Sequence, residues 1–287
     1  MSKFDNMYIE LCEKILSEGK LHHNRTGVDT YRILGHTFLF DLSEEFPAFT
    51  LKPCSIRGPV TELFWFYKAQ SNDVRWLRER GVTIWDEWEI DEDGIYRQGG
   101  NNREFGVEFA HTIGTAYGYI ADKCQYPQKN IDMIINQPES RRNIIDFWQE
   151  EYLKTAVLPP CVYNCQFIVD GEQLNIRVTQ RSCDVGLGLP YNITQYAAFL
   201  CLIAHVTGKK RGQMLYQITD CHIYENHIDG IKEQIARKDI AKKAPELWIN
   251  PEIKNFFDFD DSKEFKDIKY IGYEHCGKLE NFMSPAI

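Results

Sequence analysis

No stretch of this sequence approaches the roughly 18 consecutive apolar residues that a membrane helix needs. The opening MSKFDNMYIELCEK also lacks the basic-then-apolar pattern of a secretory signal. A cytosolic protein is therefore expected. Internal repeats, low-complexity tracts and long linkers are absent too, which argues against solenoids, arrays and tethered domains. Basic residues are in deficit: 33 Lys and Arg face 42 Asp and Glu, for a net charge of -9. That balance opposes a general affinity for a nucleic-acid backbone, so any anionic ligand must meet a local basic site. A disulfide framework is also missing. Nine cysteines are an odd, scattered set in a 287-residue chain large enough to form a core without staples, so reduced thiols are expected.

What is present suits a soluble core: 43% of residues are hydrophobic and 26% charged. One large domain over 1–287 is expected rather than two small ones. Phe4 to Ser17 has helical periodicity, with Asp5 as a possible cap and Gly19 as the stop. A second helix is expected from Pro59, carrying Glu62 into Leu63-Phe64-Trp65-Phe66 and partly burying it. Residues 89–113 are polar and glycine-rich, as a surface loop would be. Asn192 to Thr207 is apolar almost all round, which predicts a buried helix ending at Gly208.

Cys161 to Val169 and Glu172 to Gln180 read as two strands joined at Asp170-Gly171, a hairpin dipeptide. With those two residues at the centre of the turn, Cys161 faces Gln180, next to Arg181 and Ser182. An adjacent guanidinium favours a thiolate, and Leu158-Pro159-Pro160 stiffens the approach to the cysteine. An arbitrary cysteine is more often a small buried hydrophobe. Here position and electrostatics both favour reactivity. A zinc site drawn from Cys161, Cys165, Cys221, His222 and His227 is not expected, because the two histidines are five apart and share neither a strand face nor a helix face.

Four blocks occur in order: Leu158-Pro159-Pro160-Cys161, Gln180-Arg181-Ser182-Cys183-Asp184, Leu187-Gly188-Leu189-Pro190-Tyr191-Asn192-Ile193 and His222-Ile223-Tyr224-Glu225-Asn226-His227. Together they closely resemble the signature of the thymidylate synthase family. The resemblance continues at Arg25-Thr26-Gly27, Glu62 to Phe66, Ile84-Trp85-Asp86-Glu87-Trp88, Ala116-Tyr117-Gly118, Ser140-Arg141-Arg142 and Pro285-Ala286-Ile287. Val162 and the Ala244 to Pro251 segment are most similar to synthases of some Bacillus species and their phages.

The resemblance implies a single α+β domain with a mixed sheet covered by helices, a homodimer formed through the sheet, and no metal. It also implies reductive methylation of dUMP to dTMP by 5,10-methylenetetrahydrofolate, with dihydrofolate as the other product. In that scheme Cys161 is the nucleophile and Glu62 organises the water network. Tyr117 serves proton removal, and Asn192 reads the pyrimidine edge. Arg25 and Arg181 hold the phosphate together with Arg141 and Arg142 of the other subunit, aided by Ser182 within the Gln180-containing block. His222 and Tyr224 meet the sugar hydroxyl, and Asp184 meets the pterin. Trp85, Gly188, Lys52 and Ala286 fall at folate-site positions.

Without the motif, scattered arginines would be surface residues, Asn192 with Gln195 would be a helix cap, and Tyr117 would be packing. Asparagine at 192 suits uracil, since a carboxamide accepts from N3–H and donates to O4. A related hydroxymethylase of dCMP carries aspartate there. Val162, Gln149, Gly186 and Thr219 depart from the commonest family pattern. A dUMP hydroxymethylase of the same family, in which water replaces hydride at the last step, is the nearest alternative; a non-catalytic nucleotide or RNA binder is a more distant one.

Overall fold

A computed structural model describes residues 1–24, 26–98 and 102–285. Helix α1 (Lys3–Glu18) leads through β1 (Lys20–His22) into the long strand β2 (Thr30–Asp41). Helices α2 (Arg57–Tyr67) and α3 (Val74–Arg78) precede a small hairpin of β3 (Ile95–Tyr96) and β4 (Arg103–Glu104). Next come α4 (Gly118–Cys124), α5 (Gln128–Asn136), β5 (Ile144–Asp146) and the single turn α6 (Glu150–Leu153). The centre of the molecule is β6 (Val162–Asp170), β7 (Gln173–Asp184), α7 (Gly188–Val206) and β8 (Lys210–Tyr224). Helix α8 (Ile228–Ala236) and the pair β9 (Glu246–Ile249) and β10 (Ile268–Ile271) follow.

Six strands form one sheet in the order β1-β2-β8-β7-β6-β5. Only β7 and β8 run parallel; the other neighbours are antiparallel. Parallel neighbours need a crossover, and α7 supplies it. Residues Ile193 to Ala204 of α7 are buried without a break, as its all-round apolar sequence requires. Helix α2 packs against α7, and Pro59 to Tyr67 are likewise buried throughout. Burial of each Leu or Phe in such a layer contributes about 1.5–3 kcal/mol. A polar group there must find partners or cost a similar amount. This architecture is the α+β fold with a mixed sheet that the sequence resemblance implies. Among the described residues no helix is long and apolar enough to cross a membrane.

Several boundaries differ from the sequence expectation. Ser2, not Asp5, caps α1: its Oγ accepts from the Asp5 backbone N–H at 3.0 Å. The buried Asp5 carboxylate instead accepts from Thr50 N and Oγ1 at 2.9 and 2.5 Å. Helix α2 begins two residues before Pro59, and α7 begins four residues before Asn192. In both cases a proline, Pro59 or Pro190, lies within the first turn, where its missing N–H has no intrahelical partner to lose. Asn192 is therefore interior to α7 and is not a cap. The polar stretch 89–113 contains the β3–β4 hairpin and the buried Ile90, while residues 99–101 lie outside the described set.

The central hairpin turns one residue later than counted from Asp-Gly. Asp170 pairs with Gln173, leaving Gly171, at φ +57°, and Glu172 at the tip. That register alone would put Cys161 opposite Ser182. A bulge between Val162 and Asn164 then shifts the pairing by one residue. As a result Arg181 N–H donates to Cys161 O at 2.9 Å. The expected pairing of Cys161 with Gln180 is corrected to a pairing with Arg181.

Tyr117, at φ 38°, stands just before α4, and the next residue has no room for a side chain. A Cβ on Gly118 would lie 1.9 Å from the Ser71 carbonyl oxygen. Gly118→Ala should therefore cost about 2 kcal/mol or more. The measurement is urea unfolding, with a lower midpoint at unchanged slope; an unchanged midpoint would show that the Ser71 turn yields freely.

Candidate active site

The C-terminal ends of β7 and β8 lie side by side because the two strands are parallel. Their register pairs Ser182 with Asp220 and Asp184 with His222. Antiparallel β2 adds Thr30 beside Tyr224 and Arg32 beside His222. Along β7 the buried positions are Leu174, Ile176, Val178 and Gln180, and then Cys183. The alternation thus slips at Arg181-Ser182, and both of these neighbours reach one cleft. The cleft has a volume of about 800 Å³ and is also lined by Cys161, Glu62, Gly188 and Asn192.

Cys161 stands at the mouth of β6, partly exposed. Its backbone N–H donates to the Tyr117 hydroxyl at 2.8 Å, and an Arg181 Nη2 lies 3.8 Å from its sulfur. The guanidinium is itself aimed by two carbonyls, Pro160 O at 3.0 Å from Nε and Pro159 O at 2.8 Å from Nη2. Both prolines preceding the thiol thus position its cation. All nine cysteines are outside disulfides, as expected from their number and scatter. Tyr117 is buried behind the cleft, stacked on Phe66 with centroids 4.3 Å apart, and burial holds its phenol far above the usual range.

Glu62 is fully within the core of α2 yet opens onto the cleft. Trp85 Nε1 and Gln195 Nε2 each donate to one of its carboxylate oxygens. Burial pushes the carboxyl up to about 7, with the two hydrogen bonds opposing that rise. Asn192 Oδ1 accepts from Gln180 Nε2 at 3.2 Å, and Gln180 Nε2 also donates to Ser182 O at 2.9 Å. His222 Nδ1 is 3.0 Å from Asp220, which Arg32 also holds at 3.1 Å. Burial disfavours the charge on Asp220, but His222 and Arg32 hold its carboxyl below the usual range.

Other expected residues lie elsewhere. Trp85 is buried behind Glu62, and its neighbour Trp88 lines the cleft instead. Lys52 donates to Gly186 O at 2.9 Å and borders a smaller adjoining hollow with Leu187 and Tyr191. Asp184 Oδ1 accepts from Gly186 N and Leu187 N at 2.9 and 3.3 Å, which fixes the approach to α7. Arg141 and Arg142 are exposed beside β5 and do not line this chain's cleft. Arg25 and Ala286 lie outside the described residues. Ser284 and Pro285 reach the site: Pro285 lines the cleft, and Ser284 O sits 2.6 Å from His227 Nε2. A larger residue than Gly186 would meet His227 Nδ1 at 3.0 Å and Met283 Sδ at 3.3 Å. The absent side chain at Gly186 is therefore matched by the tail packing. Among the described residues no three His, Cys, Asp or Glu gather as a metal-binding set.

Sequence reasoning missed Asp220, Gln195 and Trp88 as contributors. Asp220 precedes His222 by two on one strand face, and Gln195 follows Asn192 by about one helical turn, so periodicity held a signal for both. The raised Glu62 carboxyl has a thermodynamic consequence. Between its ordinary value near 4.5 and about 7 the folded chain keeps a proton that the unfolded chain releases. This contribution to stability is full below about pH 4.5 and is lost as pH rises through 7. Urea unfolding at pH 5 and pH 8 should show Glu62→Gln gaining about 2–3 kcal/mol relative to wild type on going to the higher pH. Parallel pH profiles for the two proteins would refute a buried, neutral-range Glu62.

Comparisons with known proteins bear on the whole chain. The family model described as thymidylate synthase matches residues 6–285. A thymidylate synthase of Clostridium beijerinckii is 42% identical over 275 residues, covering 96% of each chain. The solved structure of thermostable thymidylate synthase A from Bacillus subtilis superposes with a TM-score of 0.85 at 33% identity, covering 99% of each chain. Sequence similarity, fold and the family model all agree: the chain belongs to the thymidylate synthase family, methyltransferases that make dTMP.

Proposed function

We propose that the cleft performs reductive methylation of dUMP, with 5,10-methylenetetrahydrofolate giving both carbon and hydride, and with Cys161 as the covalent nucleophile. The observation that carries this reading is the meeting of a guanidinium-flanked thiol, an oriented Asn192 amide and the buried carboxyl of Glu62 in one cleft. The Arg181 cation beside Sγ favours negative charge on the sulfur. Cys161 Sγ adds to C6 of the pyrimidine, and the displaced electron pair passes through C5 to O4 as an enolate. Asn192 meets N3–H and O4, where that charge develops. C5 bonds to the folate's methylene carbon as the bond from that carbon to N10 breaks, and C5 then loses its proton through water ordered by Glu62. A carboxyl near 7 can take and return a proton at neutral pH. Departure of the tetrahydropterin nitrogen leaves an exocyclic methylene. Hydride from the tetrahydropterin completes the methyl group, Cys161 is expelled, and dTMP and dihydrofolate result.

Electrostatics support a homodimer in this reading. The described lining contains the carboxylates of Glu62, Asp86, Glu87, Asp184 and Asp220 but only Arg181 as a permanent cation. A phosphate dianion needs more positive charge than that. Arg141 and Arg142, exposed beside β5, are the residues that would complete a partner's phosphate site, with Arg25 acting from the same chain. The tail at Ser284 and Pro285 would close over the folate and exclude water, which favours hydride over hydroxide at the last step.

Wild-type enzyme should form dTMP and dihydrofolate in equal amounts; 5-hydroxymethyl-dUMP with tetrahydrofolate would instead identify a hydroxymethylase. Cys161→Ser should keep dUMP affinity near wild type while turnover falls about 10⁴-fold or more. Undiminished turnover would exclude the covalent role. A separate test addresses the shared site. Mixing inactive Cys161→Ser with inactive Arg141→Ala/Arg142→Ala under subunit exchange should recover activity, because one of the two sites in the mixed dimer is intact. No recovery, despite mixed dimers shown by mass spectrometry, would place the phosphate cations within one chain.

A further inference from the structure

The orientation of Asn192 depends on a residue outside the cleft. Tyr216, on β8 and fully buried, donates its hydroxyl to Gln180 Oε1 at 2.5 Å. Gln180 is itself 2% exposed, and its Nε2 serves two acceptors, Ser182 O and Asn192 Oδ1. A carboxamide is nearly symmetric in shape and opposite in polarity at its two ends. Its orientation is therefore set by its partners. Ser182 O can only accept, and the phenol supplies the donor that Oε1 needs. Burial raises the Tyr216 phenol well above its usual range, so it stays protonated and able to donate.

Polarity passes along this line to the pyrimidine. With Gln180 Nε2 directed at it, Asn192 must turn an oxygen toward Gln180, because two N–H groups would otherwise face each other. The amide then presents its ends in one order. Uracil offers a donor at N3 and an acceptor at O4; cytosine offers an acceptor at N3 and a donor at N4. Reversing Asn192 exchanges the pattern that fits one for the pattern that fits the other. We propose that Tyr216 is a positioning residue for base selection, holding the Gln180–Asn192 amide pair in the order that accepts uracil and rejects cytosine. This rests on the reading that Asn192 meets the pyrimidine edge.

The test is calorimetric binding of dUMP and dCMP to wild type, Tyr216→Phe, Tyr216→His and Tyr196→Phe. Phenylalanine keeps the ring and removes the donor. The preference for dUMP over dCMP should fall about tenfold in Tyr216→Phe, as for loss of one hydrogen bond's ordering, with most of the loss on dUMP. Histidine, which keeps a ring N–H, should restore part of the ratio. Tyr196 is equally buried and packs edge-on to Tyr216 at 6.4 Å; its replacement leaves the Tyr216–Gln180 bond in place and should leave the ratio unchanged. A wild-type ratio in Tyr216→Phe overturns the proposal while leaving base reading by Asn192 intact. An equal fall in Tyr196→Phe overturns it in favour of general loosening of the core. A wild-type enzyme that binds dUMP and dCMP alike overturns the Asn192 reading, and the proposal with it. Should Tyr216→Phe fail to fold, the histidine variant carries the comparison: a ratio below that of Tyr196→Phe supports the proposal, and a ratio equal to it overturns it.

Discussion

Strand β7 is bonded antiparallel to β6 on one side and parallel to β8 on the other, and the site follows from this double constraint. The antiparallel side brings the Cys161 backbone against Arg181. The parallel side brings Ser182 and Asp184 level with Asp220 and His222. Parallel pairing also demands a crossover, and α7 must therefore start near the C-terminal end of β7. Its first turns carry Gly188 and Asn192 into the same cleft. The Cys161 thiol, the Arg181 cation, Asp220 and His222, and the Asn192 amide are thus gathered by one strand and its two neighbours. A register slip of a single residue in β7 would exchange its core and cleft faces together.

The bulge at the start of β6 is the fine adjustment within that frame. The turn at Gly171-Glu172 sets one register, and the bulge changes it by one beside Cys161. Bulges often sit beside active sites because they re-aim a side chain without disturbing the ladder beyond. Here the re-aimed residue follows Pro159 and Pro160, whose carbonyls hold the Arg181 guanidinium. Proline donates nothing through its nitrogen, yet its carbonyl accepts freely. The same pair therefore stiffens the chain and anchors the charge.

Which parts of this were legible in the sequence follows from the range of each interaction. The proximity of Cys161 to Arg181 was readable because a hairpin is local and tolerates a slip of one residue. The slip itself was not readable, since it combines a turn one residue later than Asp-Gly suggests with a bulge between Val162 and Asn164 that the residue pattern does not mark. The buried helices α2 and α7 announced themselves by apolar residues all round, but their starts did not. Asn192 looked like a cap because caps and buried amides use the same residue types, and only Gln180, brought over on another strand, tells them apart. Gly186 read as a departure from pattern, while its counterpart Met283 lies nearly a hundred positions away. The roles of Trp85 and Gln195 as donors to Glu62 were hidden for the same reason.

Charge poses the sharpest question about the site, because an acidic cleft in an acidic chain is proposed to hold a dianion. Carboxylates here are largely engaged: Asp220 by Arg32 and His222, Glu62 by two neutral donors and a raised proton affinity, Asp184 by backbone N–H groups. These three carboxylates thus have local partners that limit their repulsion of an anion. What they cannot supply is attraction, and within one described chain that comes from Arg181, which is already committed to the thiol and two carbonyls. Phosphate binding then needs arginines from outside the described wall of the cleft. The exposed pair Arg141-Arg142 does not line its own cleft. In the proposed homodimer, substrate binding would depend on a second chain's cations, brought to the cleft through the sheet that positions Cys161.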